Sequence, residues 1–130
     1  MQLPTLTTPR LILRPFELSN APDVQRLAGD WAIADTTLNI PHPYLDGMAE
    51  TWINMHAEAA RKAHSVTLAI MRKADQALLG AISLMSISKR HQAELGYWIG
   101  KPYWGQGICT EAAQAVLAYA FNELALMRVI

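Results

Sequence analysis

Three short apolar runs follow one another between residues 65 and 99, broken by brief polar stretches. They read SVTLAIMR (65–72), KADQ (73–76), LLGAISLMSIS (78–88), KRHQ (89–92) and AELGYWI (93–99). Runs of this length, bounded by turn residues, predict three strands. The short breaks make them consecutive antiparallel neighbours, because parallel neighbours need a crossover of a dozen or more residues. A meander therefore sits in the middle of the chain, and the remaining segments must pack around it.

RLILRPF (10–16) alternates, with Leu11 and Leu13 on one side and Ile12 and Arg14 on the other, and predicts a further strand. Asn20 is placed to cap a short helix that has Pro22 in its first turn and runs to about Ala28. Residues 29–44 are irregular and carry IPHPYL, a proline-restrained turn. A longer helix opens near Asp46 and runs to about His64, with Met48, Trp52, Met55 and Ala59 giving one apolar face. After residue 107 a last helix runs to about Glu123, with Ala113, Val116, Leu117, Ala120, Phe121 and Leu124 on one side. MRVI (127–130) reads as the opening of another strand. The order is an α+β arrangement: a mixed, mostly antiparallel sheet with flanking helices, and a helical crossover after the third meander strand.

Size and composition narrow the function classes. The 130 residues make one domain, 1–130, and 52% hydrophobic residues supply a core. Eleven basic and eleven acidic residues cancel, which argues against nucleic acid as the main partner. No window has a membrane-spanning run and no secretion signal opens the chain, so no membrane is expected. The single cysteine, Cys109, excludes an internal disulfide and suits a cytoplasmic location. Charged residues make up 17%, below a usual share of about 25%, which either favours association, for instance as a homodimer, or simply marks an alanine-rich, moderately apolar small protein. His42, His56, His64 and His91 show no ligand spacing, so no metal is expected.

The chemistry concentrates in WIGKPYWGQGICTEA (98–112). A strand that ends in a glycine turn and enters a helix leaves unpaired amides and a partial positive charge at the helix start, which together suit an anion. Gly105 and Gly107 let backbone approach an oxygen without a Cβ in the way. Each amide–phosphate bond can contribute about 1.5–3 kcal/mol. The segment is not a P-loop, because no lysine follows Gly107. It is not a dinucleotide fingerprint either, because position 110 is threonine and the preceding strand belongs to a meander. The pyrophosphate loop of an acyl-coenzyme A binder remains.

Three stretches carry a resemblance: TPRLILRPF, IPHPYLDGMAETWI and GYWIGKPYWGQGICTEA. In them the chain resembles the GCN5-related N-acetyltransferase (GNAT) superfamily, in its ribosomal-protein N-terminal acetyltransferase (RimJ/RimL-like) branch. The superfamily loop [RQ]-x-x-G-x-[GA] falls on Trp104 to Cys109, with Gly107 at the central glycine. Trp104 departs from Arg/Gln and Cys109 from Gly/Ala, and neither departure removes a backbone donor. The resemblance implies the acyl-CoA N-acyltransferase fold, apparently cut before its C-terminal strands and helix. It also implies acetyl transfer from acetyl-CoA to a primary amine by direct attack in a ternary complex. The acceptor would be a protein N-terminus or a small-molecule amine. A non-catalytic acyl-CoA-binding or interaction module is the alternative.

The resemblance further assigns residues. The pantetheine arm would pair with the 93–99 strand near Trp98 and Ile99, with a backbone N–H near Ile99 as oxyanion donor. Gly105, Gln106, Gly107, Ile108, Cys109 and Thr110 would hold the pyrophosphate. Glu94 would be the base or relay, or else an ordinary solvent-facing carboxylate. Trp31, Asn39 and Tyr44 would lie on the acceptor side, or else serve as core and cleft wall. Cys109 reads as a small packing residue rather than a nucleophile. Thr110 could meet a phosphate or cap the helix, and Glu111 reads as an acid favourable to the helix dipole. The residue that protonates the departing thiolate would lie beyond Ile130. The 93–99 strand would then be an open edge awaiting a partner.

Overall fold

The computed structural model describes residues 3–29, 46–62, 65–85, 87, 92–124 and 128–129. Trp31, Asn39 and Tyr44, with His42, His64 and His91, lie outside the described residues. In chain order the elements are β1 (Leu6–Thr7), β2 (Leu11–Arg14), α1 (Ala21–Ala28), α2 (Met48–Arg61), β3 (Val66–Arg72), β4 (Leu78–Met85), β5 (Gln92–Ile99), α3 (Ile108–Asn122) and β6 (Arg128–Val129). The strands form one six-stranded sheet in sequential order. β1 to β5 are antiparallel neighbours, and β6 returns parallel to β5 after the α3 crossover. The meander and the crossover expected from the sequence are thus both present.

The alternation of β2 to β5 divides the core into two layers. Leu11, Leu13, Leu68, Ile70, Ile82 and Leu84 face α3, whose Ile108, Ala112, Val116 and Ala120 press on them. Met71, Leu78, Ala81 and Trp98 face the other way, onto Val24 and Leu27 of α1 and Ala49 and Ile53 of α2. Each fully buried Leu or Ile stabilises the fold by about 1.5–3 kcal/mol, so the α3 layer alone is a substantial core. A register shift between Ile70 and Met71 pairs them with Gly80 and Leu78 and skips Leu79. Gly80 is needed there for space. A Cβ on it would lie 2.2 Å from the Trp98 carbonyl oxygen of β5.

Two helix faces differ from expectation. On α2 the buried residues are Ala49, Ile53, His56 and Ala60, one position on from the expected set, and Met55 is 61% exposed. Both sets share a four-three-four spacing, so periodicity cannot choose between them; the fit of small Ala49 and Ala60 against their neighbours does. On α3 the stripe 108, 112, 116, 120 is buried and Phe121 is exposed. Asn20 precedes α1, but its side chain does not cap that helix. Its Oδ1 instead accepts the Glu17 N–H at 2.9 Å and the Arg14 guanidinium at 3.4 Å.

Candidate active site

β5 ends at Ile99, and the chain then makes a single 3-10 turn (Lys101–Tyr103) and a glycine turn before α3. Gly105 and Gly107 have φ of +77° and +74°, the left-handed region where a side chain is strained. Among the described residues no atom lies within 4 Å of a Cβ built on Gly105. The same construction on Gly107 meets, among the described residues, only the Arg10 guanidinium, at 3.5 Å. The turn is therefore bare on its outer side. The first helical bond of α3 runs from the Glu111 N–H to the Gly107 carbonyl at 3.1 Å. The amides of Ile108, Cys109 and Thr110 come before it and have no intrahelical acceptor. The glycine turn and the free helix-start amides read from the sequence are both there.

β5 supplies the second half of the site. β6 pairs only with Gln92 and Ala93, so among the described residues no strand covers Glu94–Ile99 on the side away from β4. The Gly100 N–H donates to the Leu79 carbonyl at 2.8 Å. By ladder alternation, Trp98 turns its backbone toward β4, where it pairs with Ala81, while Tyr97 and Ile99 present theirs to the open side. This refines the sequence reading at Trp98. Its main-chain groups pair with β4, and its ring packs into the α1/α2 layer 6.4 Å from Trp52.

Glu94 shares the Trp98 face and is exposed. Among the described residues its carboxylate has no hydrogen-bond partner. Thr110 is exposed at the third position of α3 and makes no cap. Cys109 is half-buried against the α3 layer. Burial pushes its thiol up from the ordinary cysteine range, against a hydrogen bond to Tyr97 that works the other way. A thiol held protonated is a poor nucleophile, which agrees with a packing role.

Two participants were not expected. Glu111 accepts from the Arg10 Nε at 2.7 Å, from the Arg10 N–H at 2.9 Å and from the Thr8 hydroxyl. Burial opposes its ionisation, but the bonds from Thr8 and Arg10 outweigh that and hold the carboxyl below its usual range. Glu111 is thus a tie between the β1–β2 turn and the start of α3, which places Arg10 beside Gly107. Trp104 is the other, and its indole Nε1 donates to the Ile99 carbonyl at 2.6 Å. Its departure from the loop pattern was the one available signal, since tryptophan, like Arg or Gln, brings an N–H donor.

On the opposite layer Phe16, Trp52 and His56 form a ring cluster, with Trp52 and His56 centroids 4.3 Å apart. Burial lowers the His56 pKa to about 4, and neither ring nitrogen has a partner among the described residues.

A sheet of this topology with an uncovered β5 edge, meeting a bare glycine turn at a helix start, fits the acyl-CoA N-acyltransferase fold that the resemblance implies. The comparisons agree. The family model described as Acetyltransferase (GNAT) domain matches residues 10–130, and the chain belongs to that family. It is 33% identical over 129 residues to the "Uncharacterized N-acetyltransferase p20" of Bacillus licheniformis, covering 96% of this chain and 70% of p20. It is 46% identical over 56 residues to YdaF of Bacillus subtilis, named provisionally as a ribosomal N-acetyltransferase. That match spans 42% of this chain and 31% of YdaF. The fold superposes on RimL, the ribosomal L7/L12 α-N-protein acetyltransferase in complex with coenzyme A. The TM-score is 0.82 at 18% identity, over 92% of this chain and 69% of that one. Among the described residues no helix is long and apolar enough to cross a membrane, and no three His, Cys, Asp or Glu side chains converge as a metal site.

Proposed function

We propose that this domain acetylates the α-amino group of a protein N-terminus, in the cytoplasm, by direct attack in a ternary complex. The observation that carries the reading is the junction at the end of β5. There an open strand edge and a bare turn with unpaired amides meet within a few residues. The amides of Gly105, Gln106, Gly107, Ile108, Cys109 and Thr110 hold the diphosphate, and the pantetheine arm pairs along Tyr97 and Ile99. The open-side Tyr97 N–H, one pairing step from Ile99, donates to the thioester carbonyl as negative charge develops there.

The amine nitrogen adds to that carbonyl carbon, the C–S bond breaks, and the coenzyme leaves as a thiolate that takes up a proton. The nitrogen loses its extra proton to Glu94, directly or through water. An α-amino group titrates near roughly 7.7–8.0, so a weak base suffices, whereas a lysine near about 10.4 asks more. The YdaF name, which mentions the ribosome, supports a protein acceptor, and a half-buried Trp52 beside buried Trp98 offers an apolar wall to a first side chain. Trp31, Asn39 and Tyr44 would complete that side.

The test is coenzyme thiol release from acetyl-CoA with two acceptor panels, short peptides with free N-termini and small amines such as polyamines. Faster release with the peptides, abolished by N-terminal blocking, is expected. Release with small amines alone would refute the acceptor assignment. Coenzyme binding without release to either panel would make the domain a binding module.

A further inference from the structure

The Ile99 carbonyl is the outermost acceptor on the open edge of β5. It shares one trans peptide with the Gly100 N–H, and that N–H donates to Leu79 of β4 at 2.8 Å. The carbonyl therefore points the opposite way, into the open side. The indole of Trp104 reaches it at 2.6 Å, shorter than the usual range for such a bond. Trp104 is 45% exposed and belongs to neither core layer, so core packing does not explain where its ring lies. Gly105, the first glycine of the turn, is the next residue. The bond thus joins the strand that would carry the coenzyme arm to the turn that would carry the diphosphate.

We propose that Trp104 is the positioning residue that sets the register of the acyl donor on β5. By occupying the Ile99 carbonyl, its N–H closes the last edge acceptor, so the amide N–H of the coenzyme arm bonds to the Tyr97 carbonyl instead. This rests on the acetyl-CoA reading above. The two carbonyls are two residues apart, so the alternative register displaces the arm by about 6.6 Å. A thioester displaced that far loses the Tyr97 N–H and the attacking amine together. A side chain with an N–H donor can close the carbonyl, and one without cannot.

The experiment compares the unaltered chain with Trp104→Phe and Trp104→Gln, using acetyl-CoA and S-acetylpantetheine, which lacks the diphosphate. The Phe variant is expected to lose at least about tenfold in kcat with both donors, while its affinity for acetyl-CoA changes far less. The Gln variant restores most of that loss. Near-normal kcat in the Phe variant, or a Gln variant as impaired as Phe, would overturn the proposal. So would a loss confined to acetyl-CoA, since Trp104 would then serve only the turn. The indole proton of Trp104 in the unaltered chain gives a second readout, independent of variant folding. It should stay hydrogen-bonded when acetyl-CoA is added, and its release would refute the register. Absence of acetyl-CoA binding by the unaltered chain would instead remove the reading beneath it, and the proposal with it.

Discussion

Gly107 separates two demands that a loop glycine can meet, and a pair of substitutions tells them apart. Its φ of +74° strains any ordinary side chain, so Gly107→Ala should destabilise the fold by about 1–2 kcal/mol. For a domain of this size that lowers Tm by several degrees. The protein itself has room for the new carbon, since the nearest atom, Arg10 Nη2, would be 3.5 Å away, an ordinary contact. Gly107→Asn tolerates the left-handed conformation far better, and so should melt close to the unaltered chain. It still places a Cβ on the outer side of the turn, where the diphosphate is proposed to lie. Displacing two charge-assisted amide bonds costs about 3 kcal/mol, or roughly a hundredfold in Kd. Thermal melts and calorimetric titration with acetyl-CoA give both numbers. If the Asn variant binds acetyl-CoA as well as the unaltered chain, Gly107 serves the turn alone and the cradle assignment falls.

Glu94→Gln should lower kcat and leave acetyl-CoA affinity unchanged, measured by thiol release against pH; an unaltered profile removes Glu94 from the proton path. Glu111→Ala leaves the Arg10 N–H and the Thr8 hydroxyl without their acceptor and should cost about 1–3 kcal/mol in urea unfolding. Because the Glu111 carboxyl is held low in the fold, its contribution is present above its unfolded pKa and disappears as pH falls through the folded one. His56 acts through burial of a neutral ring. With a folded pKa of about 4 against an ordinary 6.5, the unfolded chain binds the extra proton between those values, and stability falls as pH drops through that window. Between pH 7 and 5 the loss is about 2 kcal/mol, and His56→Phe should abolish most of it; an unchanged slope in that variant would show that another group titrates. Cys109→Ala should retain activity, and its loss would return the thiol to the mechanism.

Local patterning was enough for β2 to β6, the helices and the crossover, while the two-residue β1 (Leu6–Thr7) is too short to carry a period and was missed. Alternation in Leu11–Arg14 and the polar breaks around residues 73–76 depend on neighbouring residues, and strand period and turn chemistry report on those directly. The two glycines announced an unusual backbone for the same reason. Packing decided what periodicity left degenerate: α2 turns Ile53 inward rather than Met55, because two registers of equal spacing were available and only the fit against neighbouring elements separates them. Long-range contacts decided the site. Glu111 meets Arg10 from about a hundred residues away, and Trp98 gives its backbone to β4 because Gly80 admits its carbonyl. The Ile99 carbonyl faces the open edge because the next peptide N–H is already committed to Leu79. A sequence fixes which groups a chain can offer, but the side on which a strand offers them follows from which neighbour has taken the other.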